Sequence, residues 1–148
     1  MRLSLTGRAA GLLMAGLLAG AAGPEALWLT QDRDSVIELR NCDAGLCGRI
    51  VGMSELQRPD GTAATDRQGR PLCGLTILHA RPDGPDSWSG QITDPETGTA
   101  WNSVLRLDGE GRLKLRGYVL VPLLGQTHTW TRYTGKLGGN CAMMPGGG

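Results

Sequence analysis

Short stretches in which apolar and polar residues alternate recur along the chain from residue 26 to residue 133. Clusters of Gly, Pro and Asp separate them, and an alternation with a period of two is typical of strands that bury one face. The pattern predicts eight consecutive strands, at Ala26–Thr30, Ser35–Asn41, Leu46–Met53, Cys73–His79, Trp88–Thr93, Thr99–Leu107, Arg112–Tyr118 and Gln126–Tyr133. The turns fit this interpretation, because in the segment 94–98 Pro95 restricts one φ angle and Gly98 permits a positive one.

Eight sequential strands in 148 residues predict an all-β fold with little helix, in which one antiparallel sheet closes into an up-and-down barrel. Closure removes the sheet edges that would otherwise pair with other chains. One face of each strand then points inward. The inward positions are predicted to be Ile37, Leu39, Leu46, Gly48, Ile50, Leu75, Ile77, His79, Trp88, Ile92, Trp101, Ser103, Leu105, Leu107, Leu113, Leu115, His128 and Trp130. Arg106, Lys114 and Arg116 fall on the opposite, hydrated face.

Three parts of the chain are distinguished by composition. Residues 1–22 resemble a secretory signal peptide, with Arg2 and Arg8 before a short apolar stretch and small residues at an A-x-A cleavage site. Its apolar core is shorter than the roughly 20 residues that cross a bilayer, so we expect no transmembrane segment in the mature chain. The barrel domain is predicted to occupy 23–134, and the Gly-rich segment 135–148 to form a flexible tail.

Composition narrows the function classes. The 24 Gly and 8 Pro residues argue against a helix bundle, and a formal net charge of +1 gives no basic surface for nucleic acid. The segment 54–71 is polar and has no strand pattern, and a loop of that length in a small domain is commonly functional or mobile. We expect it to act as a lid over one end of the fold or as a contact loop.

Four cysteines in an exported chain favour disulfide bonds over metal or redox chemistry. Cys42 and Cys47 flank a turn, and a bridge between them would stabilise by about 2 kcal/mol in the chain-entropy model. Cys73 and Cys141 are left for a second bridge, worth about 4 kcal/mol because it closes a far longer loop. The four-residue spacing and the distant histidines do not fit a zinc site, so we predict no metal and no cofactor.

The sequence offers no convincing pair of a cysteine nucleophile and a histidine base for thiol catalysis. Cys73 and His79 are six positions apart on one predicted strand, about 20 Å at 3.3 Å per residue, which is too far for proton transfer. A pairing of Cys73 with His128 stays open at this point. The aspartates lie in turns, where they have local hydrogen bonds to make. We therefore find no catalytic constellation and predict that the protein is not an enzyme.

Two groups of side chains are candidates for binding and for closing the barrel. The inward positions include both histidines, and the predicted ligand contacts are His79, Trp101, Ser103, His128 and Trp130. Trp28, near the start of the first strand, is predicted to close the base of the barrel, where a large aromatic ring excludes water. Arg132 is expected to stack on that ring as a cation–π partner. Both roles are structural.

Six segments together resemble an exported bacterial family called domain of unknown function 2147. They are LWLT at 27–30, CDAGLCGRIV at 42–51, RPLCGLTIL at 70–78, WSGQITDPETG at 88–98, RLKLRGYV at 112–119 and PLLGQTHTWTR at 122–132. The resemblance implies a lipocalin-like or calycin-like barrel and no established activity. Two features depart from the family pattern: Ala26 stands where Gly usually precedes the Leu-Trp pair, and residues 58–69 replace the usual Asn-Pro-Asp stretch.

Two function classes follow from these expectations. The first is a periplasmic or secreted binding protein that holds one small apolar or amphipathic molecule inside the barrel. The second is an envelope interaction or assembly protein with a filled barrel, which acts through the loops 54–71 and 120–125. An eight-stranded barrel is compatible with either, because its interior is just wide enough for side chains to fill or for one small ligand.

Overall fold

The alternating segments form strands at nearly the predicted positions. In the computed structural model, which describes residues 23–43 and 45–144, they are β1 (Ala26–Leu29), β2 (Ser35–Cys42), β3 (Gly45–Met53), β4 (Thr76–Pro82), β5 (Ser87–Thr93), β6 (Ala100–Leu107), β7 (Leu113–Tyr118) and β8 (Gln126–Arg132). Each strand pairs antiparallel with the next, and β8 pairs with β1, so the sheet closes into a barrel. The predicted fold class is confirmed. The segment 1–22, with its predicted signal peptide, lies outside the described residues.

One end of the barrel, at the β2–β3, β4–β5 and β6–β7 turns, has a packed interior, and we call it the filled end. Its core consists of leucines that are each at most 1% exposed, namely Leu39, Leu46, Leu78, Leu105 and Leu113. Fully buried Trp28 donates an indole hydrogen bond of 2.8 Å to the Pro24 carbonyl. The guanidinium carbon of Arg132 lies 4.6 Å from the centre of the Trp28 ring. The segment before β1 and this stacked pair thus shield the core from water.

Strand β4 differs from its prediction, since it covers Thr76–Pro82 rather than Cys73–His79. Gly48 pairs with Leu78, whereas the next residue of β3, Arg49, pairs with Thr76, so Ile77 is an extra residue in the ladder. Such a β-bulge reverses the alternation on one side of it. Leu78 is therefore buried, and His79 is exposed on the outer face instead of pointing inward as the sequence predicts.

The connection from β3 to β4 is not structureless. Two antiparallel bridges, Gln57–Ala63 and Thr65–Pro71, fold it back on itself. Buried Asp66 accepts a hydrogen bond from the Arg70 backbone N–H and a second from the Arg70 guanidinium. Arg67 donates to the Pro95 and Thr97 carbonyls of the β5–β6 turn. The loop therefore braces the other end of the barrel, which we call the open end.

The C-terminal segment also differs from the expectation of a flexible tail. Within it, β9 (Lys136–Leu137) pairs with β10 (Met143–Met144), and Cys141 is bonded to Cys73. Leu137 packs so closely on Gly52 of β3 that a Cβ there would lie 2.8 Å from its Cδ2 atom. Glycine content alone indicated flexibility, but a covalent anchor and an apolar contact hold this segment to the barrel. Residues 145–148 lie outside the described residues.

Candidate functional site

A cavity of about 660 Å³ occupies the open end of the barrel. Its walls are apolar and come from the seven strands β2 to β8 and from the β7–β8 connection: Ile37, Ile50, Ile77, Ile92, Trp101, Leu115, Leu124 and Trp130. Polar groups gather at its rim: Thr30, Gln31, Asp32, Asp34, Ser35, Thr93, Asp94, Gln126 and His128. The volume lies within the range of about 300–1,000 Å³ that is usual for small-molecule sites. An apolar interior with a polar rim can accommodate an amphipathic molecule.

The predicted ligand contacts divide into three groups. Trp101, His128 and Trp130 line the cavity, and Trp101 is 38% exposed to it and to solvent. Ser103 is buried on the inner face, and its hydroxyl has no hydrogen-bond partner within the described residues. His79 does not reach the cavity, because the bulge in β4 turns it outward. Ser103 does not line the cavity either.

The rim of the cavity carries negative charge. Among the residues that line it, Asp32, Asp34 and Asp94 are carboxylates, and His128 is the one basic side chain. Asp34 accepts a hydrogen bond of 2.9 Å from the Thr30 hydroxyl, and Asp94 accepts one of 2.8 Å from the Glu96 backbone N–H. None of these three carboxylates has a salt bridge among the described residues. The rim therefore favours neutral or cationic groups over anions.

An apolar arm follows β7 at the same end of the barrel, over residues 119–124. Leu120, Leu123 and Leu124 are 79%, 86% and 74% exposed, and Leu124 also lines the cavity. Exposed apolar clusters of this kind commonly mark an interaction or ligand-entry surface. The sequence signal is the run VLVPLL, and the loop prediction for 120–125 covers most of it.

Both cysteine pairs form disulfides, Cys42–Cys47 and Cys73–Cys141. Within the described chain no cysteine is free, so Cys73 has no thiol to offer His128 as a catalytic partner.

A feature that the sequence analysis missed lies on the outer wall, where Cys47 pairs with His79 across β3 and β4. The His79 Nδ1 atom is 3.4 Å from the Cys47 sulfur. The sequence analysis did not place His79 beside the cysteines, because the two are far apart along the chain. The bulge in β4 turns His79 to the outer face, where it lies opposite Cys47.

None of the described helical segments is long and apolar enough to cross a membrane.

Comparison with known proteins agrees with this architecture. The structure is similar to that of HP1028 from Helicobacter pylori, described as belonging to the lipocalin family, with a TM-score of 0.58 and 16% sequence identity. The similarity covers 74% of this chain and 82% of that one, and at this identity it shows the fold alone. No curated protein matches the chain. The model of DUF2147, described as an uncharacterized protein conserved in bacteria, matches residues 26–132, and the chain therefore belongs to that family.

Proposed function

We propose that this protein is an exported carrier that binds one small amphipathic molecule in the open end of its barrel. The cavity of about 660 Å³, apolar inside and polar at the rim, carries the proposal. Its walls offer an apolar chain the burial that provides about 25 cal/mol per Å² of apolar surface, before the costs of binding are subtracted. Lipocalin-like barrels are suited to this task because eight strands leave room for one ligand.

The charge of the rim narrows the ligand class to neutral or cationic head groups. A unit charge about 8 Å from a carboxylate interacts with it by about 0.5 kcal/mol in water-like surroundings. Asp32, Asp34 and Asp94 act in the same direction, so a cationic head is favoured over an anionic one by about tenfold or more at low salt. Salt screens this preference, and the apolar contribution to affinity remains.

Export is part of the proposal and has two supports. The first is the signal-peptide pattern in residues 1–22. The second is the pair of disulfides, since such bonds form and persist in oxidising compartments. We place the mature protein in the periplasm or outside the cell, where it acts as a carrier rather than an enzyme.

The test compares amphiphiles that share one chain and differ in the head group. Trp101 and Trp130 report on the cavity, so tryptophan fluorescence is followed while dodecylammonium, dodecanol or dodecanoate is added below its micelle concentration. We expect saturable binding in the order cation, alcohol, carboxylate. Asp34→Asn with Asp94→Asn removes most of the preference, and Glu110→Gln, in the β6–β7 turn, leaves it unchanged. Flat titrations with all three compounds would exclude the proposed carrier function.

The apolar arm favours a second candidate, an envelope interaction protein that acts through its loops. Leu120 and Leu123 are too exposed to serve the core. If an interaction protein is the main role, Leu120→Ser with Leu123→Ser abolishes cross-linking to envelope components in cells and leaves dodecylammonium binding intact. If the arm serves only ligand entry, the same variant slows ligand binding, and the cross-linking pattern stays unchanged.

A further inference from the structure

The outer wall of the barrel carries three metal-ligating side chains that the carrier function does not use. The two sulfurs of Cys42 and Cys47 and a ring nitrogen of His79 all lie within 4.8 Å of one another. Cys47 and His79 occupy opposite positions on β3 and β4, so their separation is set by strand pairing rather than by loop conformation. The Cys42–Cys47 bridge occupies both sulfurs in this structure.

The spacing matches a tetrahedral zinc centre once the bridge is open. With Zn–S about 2.3 Å and Zn–N about 2.0–2.1 Å, tetrahedral angles place a sulfur and a nitrogen ligand about 3.6 Å apart and two sulfurs about 3.8 Å apart. The Cys47 sulfur and the His79 Nδ1 atom are already 3.4 Å apart. Reduction of their bond permits the two sulfurs to separate, and the Cys42 sulfur lies within 4.8 Å of the His79 ring nitrogen.

The backbone around His79 is tightly held. Gly90 on β5 lies so close to β4 that a Cβ there would collide with the His79 carbonyl oxygen. The strands therefore present His79 at a set position beside the bridge. A second cavity, of about 330 Å³, lies over the cluster and is lined among others by Asp43, Arg81 and Ser89. It leaves room for water in a fourth coordination position.

We infer that opening of the Cys42–Cys47 disulfide creates a Zn²⁺ site from two thiolates and the His79 imidazole. Two thiols of a low-molecular-weight reductant transfer two electrons to the bridge, so that two cysteine thiols and one reductant disulfide result. Zn²⁺ then displaces one proton from each thiol, and neutral His79 coordinates through Nδ1. Water from the adjoining cavity completes the tetrahedron, as in zinc sites with an open position.

The first experiment uses Co²⁺ as a spectroscopic substitute for Zn²⁺ in the fully reduced, full-length protein. We expect a thiolate-to-cobalt charge-transfer band that Zn²⁺ abolishes. His79→Asn lowers the Co²⁺ affinity by at least about tenfold, within the range of losses that follow removal of groups around a metal. His128→Asn, the matched control at the other histidine, leaves the Co²⁺ affinity unchanged. Cys42→Ser with Cys47→Ser abolishes the band.

Equal Co²⁺ affinity in the wild-type and His79→Asn proteins would overturn the inference. Thiols of an unfolded chain would bind without regard to His79, so this outcome also covers a reduced protein that does not fold. Retention of the band in the Cys42→Ser, Cys47→Ser variant would overturn it as well, because Cys73 and Cys141 would then be the ligands.

A second measurement begins from the oxidised, folded protein. In a glutathione redox buffer, Zn²⁺ is expected to raise the reduced fraction of Cys42 and Cys47, because metal binding draws the equilibrium toward the thiols. This fraction is mapped by mass spectrometry after acid quenching, removal of Zn²⁺ with a chelator and alkylation of the unfolded chain. His79→Asn reduces this shift at the same Zn²⁺ concentration. No effect of Zn²⁺ on the wild-type protein would contradict the inference. Neither experiment depends on dodecylammonium binding, so the metal site and the carrier function can fail separately.

Discussion

The two ends of the barrel are built from the same strands yet differ in how their interior is used. At the filled end, leucines from five strands, β2, β3, β4, β6 and β7, form a buried core, and Leu105 and Leu113 are fully buried. At the open end the inward residues Ile50, Ile92 and Leu115 leave a cavity between them. The comparison shows that one alternating pattern can give a packed core and a binding site in a single sheet, according to how the side chains meet across the axis.

The two ends are also held together differently. The filled end depends on its core and on the stacking of Arg132 over Trp28. The open end gives up core packing for its cavity, and the Cys73–Cys141 bridge links the β3–β4 loop to the C-terminal segment near β3. Each end should therefore respond to a different substitution.

The largest effect is expected from loss of the bridge that serves the open end. Cys73→Ser with Cys141→Ser should lower the free energy of unfolding by about 4 kcal/mol, because the bridge closes a loop with a sequence separation of 68 residues. Urea denaturation measures this loss. Hydrogen exchange should accelerate first in the β3–β4 loop and around β9. Earlier exchange in the leucine core would show that the bridge supports both ends equally.

Leucine truncation compares the interiors directly. Leu105→Ala should lower the free energy of unfolding by about 3.5 kcal/mol, because the truncation creates a new cavity in the packed filled end. Leu115→Ala should lower it by about 2 kcal/mol, because the truncation only widens a cavity that exists already. Leu115 is 4% exposed and Leu105 fully buried, so the two sites differ little in burial. Equal losses in urea denaturation would mean that the open end is packed as tightly as the filled end.

Trp101 should affect ligand affinity more than stability. It lines the cavity and is 38% exposed. Trp101→Ala is expected to weaken dodecylammonium binding by about tenfold, near 1.4 kcal/mol, since a bound chain loses an aromatic wall. Trp101→Phe, the conservative control, should keep most of the affinity. Unchanged affinity in Trp101→Ala, measured by calorimetry, would place the ligand elsewhere.

The smallest effect concerns acid stability at the filled end, in the β6–β7 turn. The Arg112 backbone N–H holds the pKa of Asp108 below its usual value, and the Arg112 guanidinium adds to this against the opposing effect of burial. A carboxylate with a lowered folded-state pKa stabilises the protein above its unfolded-state pKa, and this contribution is lost as the pH falls through the folded-state pKa. Stability should thus decline below about pH 4, where carboxylates in unfolded chains begin to protonate.

Asp108→Asn should make that decline shallower, as measured by urea midpoints between neutral and acidic pH. Its effect on dodecylammonium binding should be absent, because the turn lies at the opposite end from the cavity. An unchanged acid slope would show that Asp108 has the same pKa in the folded and unfolded chains.

Local patterns predicted the wall of the barrel well. Period-two alternation placed seven of the eight strands to within about two residues, and the Asp-rich turns close as expected, with Asp108 accepting backbone N–H groups. Cys42 and Cys47 were identified as a pair because the turn between them is short. These features depend on neighbours in sequence, for which propensity and spacing are sufficient information.

The prediction that His79 points inward is wrong, because strict alternation along β4 does not account for the bulge that pairing with β3 introduces. Ile77 and Leu78 are consecutive apolar residues, and strict alternation allows only one of them to point inward. Pairing with β3 places the extra residue at Ile77, and this register reverses every position that follows in β4. The predicted ligand contact at His79 consequently became part of the outer cysteine cluster.

The sequence by itself determined the all-β class, the order of the strands and the residues that bend the chain between them, because these follow from alternation and turn chemistry. The tertiary structure alone decided that one end is packed and the other hollow, that His79 meets Cys47, and that the Gly-rich segment pairs β9 with β10. Cavities and strand registers depend on how side chains from distant strands meet, and no window along the chain contains that information.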